Sequence, residues 1–107
     1  MYVNYDQLER GVMNFYEKEL AQKASGVSQF AMYFLMASIP KKLRGYYDTV
    51  RQMGVVDDMI NPDGLIDLDM ARGRASEAMG KCNGFTLADF RFGAADVDRL
   101  YSYIQGG

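Results

Sequence analysis

The sequence predicts a mainly α-helical fold with about five helices and a small β element, a short strand or hairpin, in the C-terminal half. Apolar residues recur at helical spacing along most of the chain, and only short segments alternate as strands do. Glycine and proline separate these stretches into distinct elements. With 107 residues, 49% of them hydrophobic, the chain fits a single domain with one core. We divide this domain, 1–107, into a helical half, 1–54, and a half with turns, short strands and two helices, 55–107.

The first helix has clear N-terminal signals. Asn4 and Gln7 stand three residues apart, which is the spacing of a capping box. Val3 and Leu8 occupy the two positions of a hydrophobic staple. The residues "KASG", 23–26, are expected to end the helix.

Three glycines fall inside predicted helices, where each costs about 1 kcal/mol relative to alanine. They are Gly11, Gly45 and Gly73. At Gly11 we expect another helix to pass close by, because a residue without a Cβ permits such an approach. The pattern favours no explanation for the other two.

A second helix is predicted over residues 27–39, starting from a cap at Ser25 or Ser28. It has two apolar faces: Phe30, Ala31, Phe34 and Leu35 form one, and Met32, Met36 and Ile39 form the other. A helix that is apolar on most sides is buried on most sides. We therefore place it at the centre of the fold or of a homo-oligomer, since soluble monomers avoid large exposed apolar patches.

A third helix is expected to begin at Pro40, because proline lacks the backbone N–H that a helix interior needs and suits the first helical turn. This helix carries Tyr46 and Tyr47. It is expected to end at Gly54, since glycine readily adopts the left-handed conformation that terminates helices.

The C-terminal half alternates short extended segments with helices. "LIDL", 65–68, predicts a small strand, and the helix that follows is expected to stop at Gly80. "FTLADFRF", 85–92, predicts one bulged strand or a small hairpin. The last helix, 94–104, has four inward-facing residues: Val97, Leu100, Tyr101 and Ile104.

The stretch "NPDGLIDLDMAR", 61–72, partly matches a calcium-binding EF-hand loop. With Gly64 at the sixth loop position, oxygen ligands fall at the third, fifth and ninth positions: Asn61, Asp63 and Asp67. The first and twelfth positions, however, are Met59 and Met70, and thioethers do not replace carboxylates around a hard cation. We therefore predict no metal site here.

A turn followed by a helix explains the same residues. Pro62 and Gly64 suit the second and fourth positions of a type I turn. Asp67 or Asp69 can then cap the following helix.

Composition argues against several classes of function. Histidine is absent, which removes the commonest general base and transition-metal ligand, and Cys82 has no identifiable base beside it. We predict no catalytic residues, no enzyme and no cofactor.

The net charge of −2 with scattered basic residues disfavours nucleic-acid binding. The longest apolar run, 30–39, is too short to span a membrane, and no signal peptide is visible, so we expect a cytoplasmic protein.

Tyrosine and methionine are unusually frequent, with eight of each. Both residue types are enriched at protein interfaces, and methionine surfaces adapt to their partners. Alternatively, these side chains line the rim of the core with the tyrosine hydroxyls in water. The candidate interaction residues are Tyr33, Met36, Tyr46, Tyr47, Tyr101 and Tyr103.

Two segments, "MGVVDDMINPDGLIDLDMA" and "GFTLADFRFGAADVDRLYSYI", carry a resemblance to a family. Together they resemble a small, functionally uncharacterised family of proteins from tailed phages and prophages of Gram-positive bacteria. The matching residues are Gly54, Val55, Val56, Asp57, Asp63, Gly64, Ile66, Asp67, Leu68, Asp96, Val97, Asp98, Leu100, Tyr101 and Ile104. The resemblance implies no catalytic residues, and it implies a phage setting in the cytoplasm of a host bacterial cell.

These observations lead to a hypothesis of a non-catalytic phage-type interaction protein that binds a protein partner. It either inhibits a host protein, such as a defence protein, or aids virion assembly. The alternative is an oligomeric binder that sequesters a nucleotide by stacking its base on Tyr46, Tyr47, Tyr101 or Tyr103. An enzyme remains only as a residual alternative.

Overall fold

The protein is mainly helical, as predicted. A computed structural model describes the backbone of residues 1–23, 29–82, 85–87 and 90–106, and the side chains of 1–19, 33–81 and 91–106. The caps predicted at Ser25 and Ser28 lie outside this part. The described chain contains four helices, one fewer than expected: α1 (Tyr5–Lys23), α2 (Gln29–Gln52), α3 (Leu68–Cys82) and α4 (Ala94–Gly106). A short 3-10 turn, Asp57–Met59, lies between α2 and α3.

The predicted second and third helices are a single helix, so the prediction that a new helix begins at Pro40 was wrong. α2 continues through Pro40 in its interior. Leu35 and Ile39 before the proline, and Leu43 after it, all pack against the same core cluster. Full burial of such a side chain contributes about 1.5–3 kcal/mol, and Ile39 is fully buried while Leu35 and Leu43 are partly buried, so together they offset the roughly 3 kcal/mol that an interior proline costs.

The predicted capping box opens α1. The backbone N–H of Asn4 donates to Gln7 Oε1 at 3.0 Å, and the backbone N–H of Gln7 donates to Asn4 Oδ1 at 2.8 Å. Val3, fully buried, and Leu8 belong to the same apolar cluster, as a hydrophobic staple requires. These contacts set where α1 starts and the direction from which the chain enters it.

α1 and α4 cross at Gly11, which confirms the close helix approach predicted for that glycine. A Cβ atom at Gly11 would lie 2.5 Å from both Cα and Cγ1 of Ile104. No side chain fits at this point, so the two helix backbones approach closely. The crossing thereby fixes α4, whose predicted inward residues Val97 and Ile104 are buried.

The described side chains form two neighbouring apolar core clusters. The first comprises Val12, Phe15, Tyr16, Ile39 and Phe92, and the second comprises Val3, Ile66, Leu68 and Ile104. Leu100 packs against both clusters and connects them. The predicted second apolar face of α2 is correct at Met36 and Ile39, which face the core, but Phe34 of the predicted first face is 68% exposed.

Two small antiparallel strand pairs complete the fold. β1 (Tyr2–Val3) pairs with β2 (Ile66–Asp67), the strand predicted in "LIDL". β3 (Phe85–Leu87) pairs with β4 (Phe90–Phe92), which confirms the hairpin alternative. α3 continues past Gly80 to Cys82, so the predicted stop at Gly80 was wrong.

Candidate functional site

Among the described side chains of α2, from residue 33 onward, the most exposed large aromatic ones are Tyr33 and Phe34. They are 71% and 68% exposed, and their ring centroids lie 5.9 Å apart in an edge-to-face arrangement. We call these two residues the aromatic pair. The core contacts of α2 come from other positions, so water contacts most of both rings. Exposed aromatic side chains held on a rigid helix are suited to binding a protein surface.

A second feature is an open groove of about 460 Å³ between the start of α1 and the end of α2. Six residues line this tyrosine–arginine groove: Tyr5, Arg44, Tyr47, Asp48, Arg51 and Gln52. The α2 residues lie three or four positions apart, which places them on one face of the helix. Tyr5 reaches the groove because the capping box directs the chain into α1 just before it.

The groove combines guanidinium groups with aromatic rings. The rings of Tyr5 and Tyr47 lie 4.8 Å apart at an angle of 53°. The Arg44 guanidinium lies 4.5 Å from the centre of the Tyr5 ring. The guanidinium carbons of Arg44 and Arg51 are 5.7 and 5.9 Å from the centre of the Tyr47 ring, within the range of cation–π attraction.

The tyrosines predicted at the C-terminus have contacts within the fold. The Tyr101 hydroxyl donates a hydrogen bond to Asp69 at 2.7 Å, and this bond raises the pKa of Tyr101. The Arg72 guanidinium lies 4.7 Å from the centre of the Tyr101 ring. Tyr103 is half-buried, with its ring 5.6 Å from that of Phe15. Both tyrosines therefore contribute to packing on α4.

The predicted interaction residues do not converge on one site. Tyr33 belongs to the aromatic pair and Tyr47 to the groove, whereas Tyr46 is 53% exposed and lines neither. Met36 is half-buried against the core. Tyr5, Arg44 and Arg51 were not singled out from the sequence, and Phe34 was named only as part of an apolar face of the second helix. The helical spacing of Arg44, Tyr47 and Arg51 was the available signal, but nothing local connects Tyr5 with them.

The "NPDG" segment forms the predicted turn. Asn61 Oδ1 accepts hydrogen bonds from the backbone N–H groups of Asp63 and Leu65, at 3.0 and 2.9 Å. Gly64, with φ of +80°, donates from its N–H to the Asn61 carbonyl. Asp67 accepts from the Met70 N–H, so it caps α3. Within the described chain, no three His, Cys, Asp or Glu side chains group as metal ligands would.

A buried ionic cluster joins α1 to α4 and was not anticipated from the sequence. Glu19 and Asp96 are 7% and 8% exposed, and the guanidinium of Arg99 contacts both. Its distance to Glu19 Oε2 is 3.2 Å. Asp96 also accepts from the Gly93 N–H at 2.8 Å, which fixes the start of α4. This cluster holds the two helices together and leaves neither carboxylate open to a substrate.

Two apolar clefts, of about 170 and 160 Å³, border the second core cluster. They share Leu8, Leu68 and Ala71 in their walls. The lining residues with polar groups are Arg72 and Tyr101 in the first cleft and, in the second, Tyr47, which also lines the tyrosine–arginine groove. Arg72 and Tyr101 already bond to Asp98 and Asp69, so these clefts suggest no chemistry.

Comparisons with known proteins find no matching protein-family model, no matching curated protein and no matching solved structure. Over the described residues, no helix is both long and apolar enough to cross a membrane.

Proposed function

We propose that the chain is a non-catalytic phage-type protein that acts by binding a protein partner. The observation that carries the proposal is the aromatic pair on α2, Tyr33 and Phe34. Large aromatic side chains dominate the energy of many protein interfaces, because they bury much area and lose little conformational entropy. A second protein that covers this pair would remove both rings from water.

The partner in this proposal is either a host protein that the chain inhibits or a virion protein that it helps to assemble. Binding over the aromatic pair requires no bond-making step, in keeping with the expectation that the chain is not an enzyme. The resemblance of the C-terminal half to phage and prophage proteins supports the choice of these two partner classes.

The experiment is affinity capture from the bacterial host, with and without phage infection. Three baits are compared: the wild type, a Tyr33→Ser/Phe34→Ser double variant and a Tyr46→Ser control, since Tyr46 is also exposed on α2. We expect the wild type and the control to capture the same protein and the double variant to lose it. Equal capture by all three baits would contradict the proposal.

A second candidate function is the binding and sequestering of a nucleotide. It is favoured by the position of Tyr47, which places one of the four proposed stacking tyrosines in an open groove beside two arginines. This candidate does not involve the aromatic pair, so the two functions are tested by different variants.

A further inference from the structure

We propose that the tyrosine–arginine groove binds a small phosphorylated molecule with a planar ring, of which a mononucleotide is the simplest example. In this arrangement Arg44 and Arg51 hold the phosphate, and Tyr47 with Tyr5 forms the wall against which the ring packs. The inference deepens the second candidate function and is independent of binding through the aromatic pair.

The charge balance in the groove favours an anion. Among the residues that line the groove, two guanidinium groups face one carboxylate, that of Asp48, which lies 3.4 Å from Arg44 Nε; the Glu9 carboxylate on α1 also acts on Tyr5. Arg51 has no carboxylate partner among the described residues, and its closest polar contact there is a long one, 3.5 Å to the Tyr47 hydroxyl. A guanidinium in this state retains most of its donors for a ligand, and its planar fork matches phosphate oxygens.

The two guanidiniums are close enough to act on one ligand. Both lie within 6 Å of the centre of the Tyr47 ring, so a phosphate near the edge of that ring is within reach of both side chains. Arg44 and Arg51 are seven residues apart, which is about two helical turns and places them on the same side of α2. A single phosphate can therefore accept hydrogen bonds from both Arg44 and Arg51.

The Tyr5 side chain contributes its ring, and not its hydroxyl, to the groove. This oxygen is buried, and the described residues provide it with no hydrogen-bond partner. Burial raises the pKa of Tyr5, so the hydroxyl keeps its proton and remains a donor at neutral pH. Since this oxygen is not accessible to solvent, a ligand in the groove contacts the ring of Tyr5 and not its hydroxyl.

The size and the aromatic walls of the groove fit a planar ring. Its volume of about 460 Å³ lies within the range of small-molecule sites, roughly 300–1,000 Å³. Tyr47 is half-buried and is held by its contact with Tyr5, so its ring is positioned before any ligand arrives. Any nucleic-acid base can stack on such an aromatic side chain, because every base has a π-face.

The test is calorimetric titration of the full chain with adenosine 5′-monophosphate, adenosine and inorganic phosphate at about 0.1 M salt, where long-range attraction between surface charges is largely screened. We expect saturable binding of the monophosphate and weaker binding of adenosine and of phosphate. Arg51→Gln should weaken binding of the monophosphate by about 10-fold or more, as expected for loss of a charge-assisted hydrogen bond. Tyr47→Leu should weaken binding of both the monophosphate and adenosine.

The matched control is Arg10→Gln, which removes the same charge from an exposed position on α1 that does not line the groove. This variant should bind the monophosphate as the wild type does. The proposal is overturned if the wild type shows no saturable binding, if Arg51→Gln binds as tightly as the wild type, or if Arg10→Gln weakens binding equally. None of these results affects capture of a protein through Tyr33 and Phe34, so the two proposals fail separately.

Discussion

At the residue scale, Gly11 is the glycine, among those the structure describes, where an added Cβ would meet the shortest contacts. Gly11→Ala places a Cβ 2.5 Å from Ile104 Cα, so α1 and α4 must move apart. We expect the free energy of unfolding to fall by about 1–3 kcal/mol, the usual cost of overpacking, although alanine favours the helix. Urea denaturation followed by circular dichroism measures the change.

Gly73→Ala provides the matched control for that substitution. Within the described part of the chain, nothing lies within 4 Å of a Cβ built at Gly73, which is also helical. Alanine should therefore raise the free energy of unfolding there by about 0.5–1 kcal/mol. If both variants change the free energy of unfolding in the same direction, the close approach of α1 and α4 at Gly11 does not make this position intolerant of a side chain.

Asp58 makes stability depend on pH. Its hydrogen bond with Arg74 lowers the pKa of the Asp58 carboxyl in the folded protein. Because the folded pKa is depressed, the stabilisation is present above the ordinary aspartate pKa and is lost as the pH falls below it. Asp58→Asn should flatten the stability curve of the wild type between about pH 5 and 2. The measurement is thermal unfolding of the wild type and the variant across this pH range. Parallel curves of stability against pH for the two proteins would contradict the expectation.

At the scale of elements, Arg99 connects α1 with α4 through two buried carboxylates. Arg99→Met leaves Glu19 and Asp96 without the guanidinium that contacts both. Since uncompensated buried charges are costly, we expect a loss of roughly 2–4 kcal/mol in the free energy of unfolding. Chemical denaturation at neutral pH measures this loss.

The control for Arg99 is Arg72→Met. The two arginine side chains are almost equally exposed, 45% for Arg72 and 46% for Arg99, but the partner of Arg72, Asp98, is itself 66% exposed. An exposed pair of this kind contributes about 0–1 kcal/mol. Similar losses in the two variants would show that burial of the carboxylates does not determine the effect.

Elements with local determinants were predictable from the sequence, and those with distant determinants were not. The capping box at Asn4 and the turn at Asn61 depend on hydrogen bonds within four residues, and both formed as expected. The passage of α2 through Pro40 depends on a core built from several elements. β1 was missed because its partner, Ile66–Asp67, lies far along the chain.

The same distinction applies to the candidate sites. Tyr33 and Tyr47 were identified by residue type alone, and the structure places them in two different features. The exposure of Phe34 could not be read from its helix, since apolar residues surround it on both sides in the sequence. The groove required Tyr5 from α1 to meet the end of α2, a contact that spacing within one helix does not reveal.

At the scale of the whole molecule, we predict that the chain without its partner forms a homodimer or larger oligomer through the exposed face of α2, and that the partner displaces this contact because both cover Phe34. Phe34→Glu should then yield folded monomers, because the charge at this exposed position is desolvated only on association. Met36→Glu should instead unfold the protein, since Met36 packs against the core. Light scattering and circular dichroism distinguish these results. A wild type that stays monomeric at high concentration would contradict the prediction.

The central claim is that the aromatic pair is the binding surface for a protein partner. The most direct measurement is the dissociation constant of the partner recovered by affinity capture, determined with the wild type and with the Tyr33→Ser/Phe34→Ser variant. Residues that dominate an interface contribute about 2 kcal/mol or more, so we expect binding to weaken by roughly 30-fold or more while the variant remains folded. An unchanged dissociation constant in a folded variant would contradict the claim.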